Sequence, residues 1–199
     1  MRQIGYVFFT FASVMVASLF MFEPAEESEF PREIPWFEFQ GAAKTAFTKE
    51  NLKGSWTLAY FGYTSCPDLC PVTLNLAKEA KDVLSQSRPY IKNMEVVFVS
   101  VDPLRDSPEK SQKYAQFFSP SFRGVTASIS QQKKILGALD SVANNDRVGT
   151  SLEYKVYHPT SLFLFSPDGQ WAGTIEDPKS ATQIVTELTD LVIGAKKTI

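Results

Sequence analysis

The sequence carries no excess of positive charge: 20 lysines and arginines stand against 22 aspartates and glutamates, a formal net charge of −2. Nucleic-acid binding calls for a basic face, so that class of function finds no support here. There is no low-complexity tract and no self-similar repeat, which excludes repeat architectures and confines disorder to one short linker. Thiols and imidazoles are scarce, with only Cys66, Cys70 and a single histidine, His158. Neither cysteine comes directly after the apolar run near the N-terminus, so a lipid-modified N-terminal cysteine is excluded. A length of 199 residues suits one domain with an appendage rather than two domains, and 44% hydrophobic content is that of a globular chain with a proper core.

The appendage is N-terminal. Ile4 to Phe22 are 19 consecutive uncharged residues; as a helix they reach about 28 Å, close to the hydrocarbon thickness of a bilayer. This reads as a membrane anchor over 1–22. A cleaved signal peptide, with Val16-Ala17-Ser18 as its cleavage site, is the alternative, but the apolar run continues through Leu19, Phe20, Met21 and Phe22 and exceeds the usual signal core. Arg2 precedes the run and Glu23, Glu26, Glu27 and Glu29 follow it, which places the rest of the chain on the exported side. Residues 23–34, with Pro24 and Pro31, read as a polar tether, and the folded domain as 35–199.

Within that domain Trp36–Phe39 alternates like a strand, and a second short strand is expected to end near Phe47. Leu58–Phe61 and Val96–Val101 are apolar runs of the kind buried on both faces of a sheet. Between them, Val72, Leu76, Ala80, Val83 and Leu84 recur at helical spacing from Pro71 onward, which puts the predicted helix start at Pro71 and Cys70 at its N-cap. Helices are also predicted over Pro108–Phe118 with Ser107 as N-cap, over Gln131–Val142 ended by Asn144-Asn145-Asp146, and over Pro178–Val192. Leu162–Phe165, Ser166-Pro167-Asp168-Gly169 and Trp171–Ile175 form a hairpin with the turn chemistry it needs. Strands alternating with helices and closing in a hairpin and a helix indicate an α/β sandwich of thioredoxin type.

Cys66 and Cys70 sit four positions apart at a strand-to-helix junction. The free N–H groups of a helix start favour the thiolate, which is the form that binds metal or attacks a disulfide. A short structural disulfide is the plainer alternative. His158 alone would be read as a bystander, but in a thioredoxin-type domain the loop entering the hairpin lies beside the first strand-helix junction. Two thiolates and one imidazole then make a soft set suited to Cu(I) and one ligand short of a closed zinc site. Asp102 and Asp106, after the clearest strand, either cap a turn and prepare the next helix or belong to the site. Tyr60, Phe61 and Tyr63 read as core, with Tyr63 nearest the cysteines.

Phe61-Gly62-Tyr63-Thr64-Ser65-Cys66-Pro67-Asp68-Leu69-Cys70-Pro71, then Ser100-Val101-Asp102-Pro103 with Arg105-Asp106, then His158 before Pro167-Asp168-Gly169, together resemble the Sco/SenC proteins. Those are membrane-anchored, thioredoxin-like copper chaperones that serve assembly of the dinuclear copper centre of cytochrome c oxidase. The resemblance implies copper as the cargo, Cys66, Cys70 and His158 as its ligands, and Asp102 and Asp106 as an acidic pair behind them. It further implies a copper-site oxidase subunit and a thioredoxin-like reductant as partners, and a single-pass location in a bacterial inner membrane with the domain in the periplasm. Thiol-disulfide reductase activity through Cys66 and Cys70 is the rival function; a peroxidase of the same fold lacks a clear activating arginine beside Cys66. Two departures from the family pattern stand out. Ser65 stands where histidine is common, and Tyr157 and Pro159 flank His158 where an acidic and a small hydroxyl residue are usual, leaving the orientation of the imidazole to other groups.

Overall fold

The computed structural model describes residues 30–88, 91 and 93–197. The apolar run at Ile4–Phe22 lies outside them, as does most of the tether, and no described helix is long and apolar enough to cross a membrane. Among the described residues the strands are β1 (Glu38–Gly41), β2 (Ala46–Thr48), β3 (Thr57–Gly62), β4 (Glu95–Ser100), β5 (Arg123–Thr126), β6 (Asn144–Asn145), β7 (Val156–Tyr157), β8 (Leu162–Phe165) and β9 (Trp171–Ile175). The α-helices are α1 (Leu69–Ser87) between β3 and β4, α2 (Pro108–Phe118) between β4 and β5, α3 (Ile129–Ala138) after β5 and α4 (Ala181–Lys197) after β9.

Seven strands form one mixed sheet in the order β2-β1-β5-β4-β3-β8-β9. β3, β4 and β5 run parallel, joined by the crossover helices α1 and α2, and β8 closes on β3 antiparallel. Alternation along the central strands divides the core into two layers, because successive side chains of a strand point to opposite faces. Leu58, Tyr60, Val96 and Phe98 pack one face against α1, α2 and α4 through residues such as Leu74, Ala115 and Leu188. Ala59, Phe61, Val97 and Val99 pack the other against α3 and the N-terminal strands through Ile135, Leu136 and Phe39. Both faces of β3 and β4 are therefore covered, which is why their sequences are almost wholly apolar. Gly124 in β5 permits the tight seating of α2: a Cβ there would lie 2.0 Å from the Ser111 carbonyl oxygen.

Local chemistry sets most boundaries. Ser107 accepts a hydrogen bond from the Lys110 amide with Pro108 next in line, as expected of that N-cap. The hairpin turn closes through the Gly169 amide on the Ser166 carbonyl at 2.9 Å, with Gly169 at φ 78°. Other boundaries differ from expectation. α1 begins at Leu69 rather than Pro71, so Cys70 lies inside the first turn and Asp68 occupies the N-cap. Proline is tolerated anywhere in that first turn because the amide it lacks would have no intrahelical partner there, so Pro71 does not mark the start.

α3 begins two residues earlier than predicted because Ser128 caps it, and ends at Ala138 rather than Val142. There Asp140 turns left-handed at φ 52° and the Ser141 amide closes on the Leu136 carbonyl at 2.8 Å. Asn144 and Asn145, read as a helix stop, instead pair with Tyr157 and Val156. The tether also differs in its described part. Arg32 pairs its backbone with Trp171 on the edge strand β9, Phe30 meets the Trp171 ring edge-on at 4.9 Å, and Ile34 is buried. Apolar residues spaced among charges, without periodicity, left that docking unreadable.

Candidate metal centre

The parallel strands deliver two loops to one end of the sheet. β3 ends at Gly62 and leads through Tyr63–Asp68 into α1; its neighbour β4 ends at Ser100 and leads through a tight turn at Asp102–Asp106, closed by the Asp106 amide on the Asp102 carbonyl at 2.9 Å. The carboxyl ends of parallel strands are where such folds gather functional groups. A third segment, after β7, brings His158 from 88 residues beyond Cys70.

The three expected donors converge. Cys66 Sγ lies 3.8 Å and Cys70 Sγ 3.6 Å from His158 Nε2, and all three atoms lie within 4.8 Å of one another. Both cysteines are free thiols, Cys66 partly exposed and Cys70 buried. Three donors spread around one ion at bonds of about 2.2 Å would stand about 3.8 Å apart, so the observed spacing suits a single small cation. The imidazole is aimed by its own backbone neighbourhood. Nδ1 sits 2.9 Å from the Pro159 carbonyl oxygen, which only accepts; in the neutral ring the proton therefore lies on Nδ1 and the Nε2 lone pair faces the sulfurs. Tyr60 and Tyr63 wall the ring edge-on at centroid distances of 5.9 and 5.6 Å. The carbonyl thus orients the ring at the site where Tyr157 and Pro159 replace the flanking residues usual in the resembled family.

The two thiols are unequal. Cys66 is held down to about 4, foremost by the Cys70 thiol donating to it and, against the cost of burial, by the Cys70 backbone N–H at 3.5 Å. Cys70 is pushed up by that same pairing and by burial. Tyr60, raised by burial and then by the neighbouring sulfurs, remains a phenol and donates to Cys70 Sγ at 3.7 Å. Gly62 makes room for this cluster: a Cβ there would stand 2.7 Å from Cys70 Sγ.

Asp102 and Asp106 are buried, 2% and 1% exposed, and neither is among the three converging donors. Asp106 accepts from the Thr64 amide at 2.8 Å and the Thr64 hydroxyl, from Ser100 Oγ at 2.7 Å and from Lys110 Nζ at 3.0 Å. Burial alone would raise its carboxyl, but these donors outweigh it and hold the group below the ordinary value. It pins the cysteine loop to the end of β4. Asp102 binds Arg105 and the Tyr154 hydroxyl, one carboxylate oxygen each. Ser100 was detectable in the sequence as the polar end of an apolar strand, and Arg105 by its i,i+3 spacing from Asp102. Thr64 and Tyr154 carried no such signal.

The SCO1/SenC family model matches residues 25–193. A Stutzerimonas stutzeri protein provisionally named as copper-binding is 32% identical over 151 residues, 74% of this chain and 72% of that protein. The human mitochondrial protein SCO2 homolog is 32% identical over 136 residues, 68% of this chain and 51% of that protein, so the chain spans about half the length of that relative. Among solved structures, Arabidopsis thaliana ScoI with copper bound superposes with a TM-score of 0.72 at 26% identity, covering 80% of this chain and 97% of that one. With its α/β thioredoxin-like fold, the chain belongs to the SCO1/SenC family.

Proposed function

We propose that this protein is a copper-binding metallochaperone that delivers copper to the dinuclear copper centre of cytochrome c oxidase during its assembly. The observation that carries this reading is the convergence of two thiol sulfurs and one imidazole nitrogen within 4.8 Å at the end of the sheet. Cys66, Cys70 and His158 are the ligands. Soft sulfur donors with one imidazole select Cu(I) over harder ions, and the copper-bound Arabidopsis relative of the same fold supports copper as the cargo. Cys66 is partly exposed while Cys70 is buried, so an incoming thiolate of the receiving subunit meets Cys66 first, and the ion leaves by stepwise ligand exchange. Ile4–Phe22 anchors the chain in a bacterial inner membrane, with 23–34 as the link and the domain from residue 35 in the periplasm. Titration of the reduced full chain with Cu(I) tests this: one ion per chain is expected, and a stoichiometry well below one, or binding unchanged in Cys70→Ala, refutes it.

The inequality of the two thiols favours a second reading, a thiol-disulfide reductase acting on the cysteines of the oxidase copper site. The Cys66 thiolate would attack one sulfur of the client disulfide and form a mixed disulfide; the Cys70 sulfur, losing its proton, would then attack Cys66 and release the client as a dithiol. Two electrons pass to the client and a Cys66–Cys70 disulfide remains, which a thioredoxin-like dithiol reductant must reduce again. His158 separates the readings. His158→Ala should abolish tight copper binding if the protein is a chaperone, and should leave disulfide reduction nearly intact if it is a reductase.

A further inference from the structure

His158 is the donor that regular structure holds least. It follows β7, a two-residue strand paired only with the two residues of β6, and the stretch from Asp146 to Lys155 between those strands is loop and turn. One guanidinium ties that stretch to the cysteine-bearing end of the sheet. Arg105 Nη1 donates to the Leu152 carbonyl at 3.3 Å and to the Tyr154 carbonyl at 3.0 Å. Its Cζ lies 3.8 Å from the centre of the Tyr154 ring, and its Nε donates to Asp102 Oδ2. The other carboxylate oxygen, Oδ1, takes the Tyr154 hydroxyl.

Asp102 is 2% exposed, so its charge needs a partner, and the partner that neutralises it is also the one that grips the loop four residues before His158. The same guanidinium lies 5.6 Å from the Tyr63 ring, and Tyr63 packs edge-on against His158. One cation therefore meets both Tyr154, in the segment that leads to His158, and Tyr63, one of the two rings against the imidazole.

We propose that Arg105, fixed by Asp102 and gripping Tyr154, is the positioning residue that sets His158 Nε2 against the two sulfurs. This rests on the copper-site reading above. The planar fork matters as well as the charge: a lysine could reach Asp102, but it could not also span two carbonyls and stack on the ring. Arg105→Lys and Tyr154→Phe are therefore the informative changes, since both keep the bulk of the site.

The test uses the full chain. Without metal, amide hydrogen exchange over residues 155–158 should speed up about tenfold in Arg105→Lys, while exchange in β3 and β4 stays as in wild type. With Cu(I), affinity should fall about 10–100-fold, the usual cost of losing a group that orients a ligand. In a His158→Ala background the same Arg105→Lys change should cost nothing further, because the residue it positions is gone. Equal losses in both backgrounds, or unchanged exchange over 155–158, would overturn the assignment. If wild type takes up no stoichiometric Cu(I), the copper reading fails, and the metal-free exchange experiment still decides whether Arg105 orders the loop.

Discussion

Gly62→Ala adds one methyl group where the cysteine-bearing helix meets the central strand. The new Cβ would lie 2.7 Å from Cys70 Sγ, 3.1 Å from Tyr60 Cε1 and 3.2 Å from Phe98 Cε2. Ordinary contact begins near 3.4 Å, so the sulfur must retreat by about 0.7 Å. None of the three neighbours can yield cheaply: Cys70, Tyr60 and Phe98 are all fully buried at 0% exposure. Overpacking of this kind costs about 1–3 kcal/mol, which in a domain of this size lowers the unfolding temperature by about 2–12 °C. The retreat also carries Cys70 Sγ off its 3.6 Å approach to His158, so Cu(I) affinity should fall together with stability. Calorimetry and competition against a Cu(I) chelator read the two effects separately. A variant that unfolds at the wild-type temperature and binds copper as tightly would refute the claim that the packing around Gly62 sets the sulfur position.

Asp106→Asn should destabilise the protein by about 1.5–3 kcal/mol at pH 7, the range for hydrogen bonds to a charged group. Because the folded carboxyl titrates below its ordinary value, its contribution is complete above the unfolded value near pH 4 and disappears as pH falls through the folded one. Urea melts should accordingly show the gap from wild type narrowing toward pH 3; a gap equal at pH 3 and pH 7 would contradict the assignment. Alkylation of the reduced protein by iodoacetamide should strike Cys66 first, at a rate nearly flat between pH 6 and 8, since the thiol is already ionised. A rate rising tenfold per pH unit over that window would show an ordinary thiol instead. Tyr60→Phe removes the hydroxyl that donates to Cys70 Sγ at 3.7 Å and so favours its thiolate; it should leave the unfolding temperature within a few degrees of wild type and slow Cys70 alkylation under native conditions, and unchanged Cys70 reactivity would rule out a hold on that sulfur.

The trio of donors was legible because it depends on chain order. A thioredoxin-type alternation fixes which strand ends and loops share an end of the sheet, and Cys66, Cys70 and His158 fall in or directly beside those loops wherever the helix boundary lies. Turn and cap chemistry was legible too at Ser107 and Gly169, where one residue decides the local geometry. Pro71 misled because proline is equally at home at several positions of a first turn. The β6–β7 pairing was illegible, being two residues long on each side and too short to show alternation. The grip of Arg105 on Tyr154 spans 49 residues of sequence and leaves no periodic trace. Asp102 and Asp106 read in the sequence either as turn and helix caps or as an acidic pair near the site; the structure buries both, and their work, tying two loops to β4, depends on partners that only the folded chain brings together.

The central claim is that His158 completes a copper site with the two cysteines. X-ray absorption at the copper edge of the Cu(I)-loaded full chain, beside the His158→Ala variant, tests it most directly. The account predicts two sulfur neighbours and one nitrogen in wild type, with the nitrogen lost and affinity down by more than about a hundredfold in the variant. Identical spectra and affinities for the two proteins would contradict it.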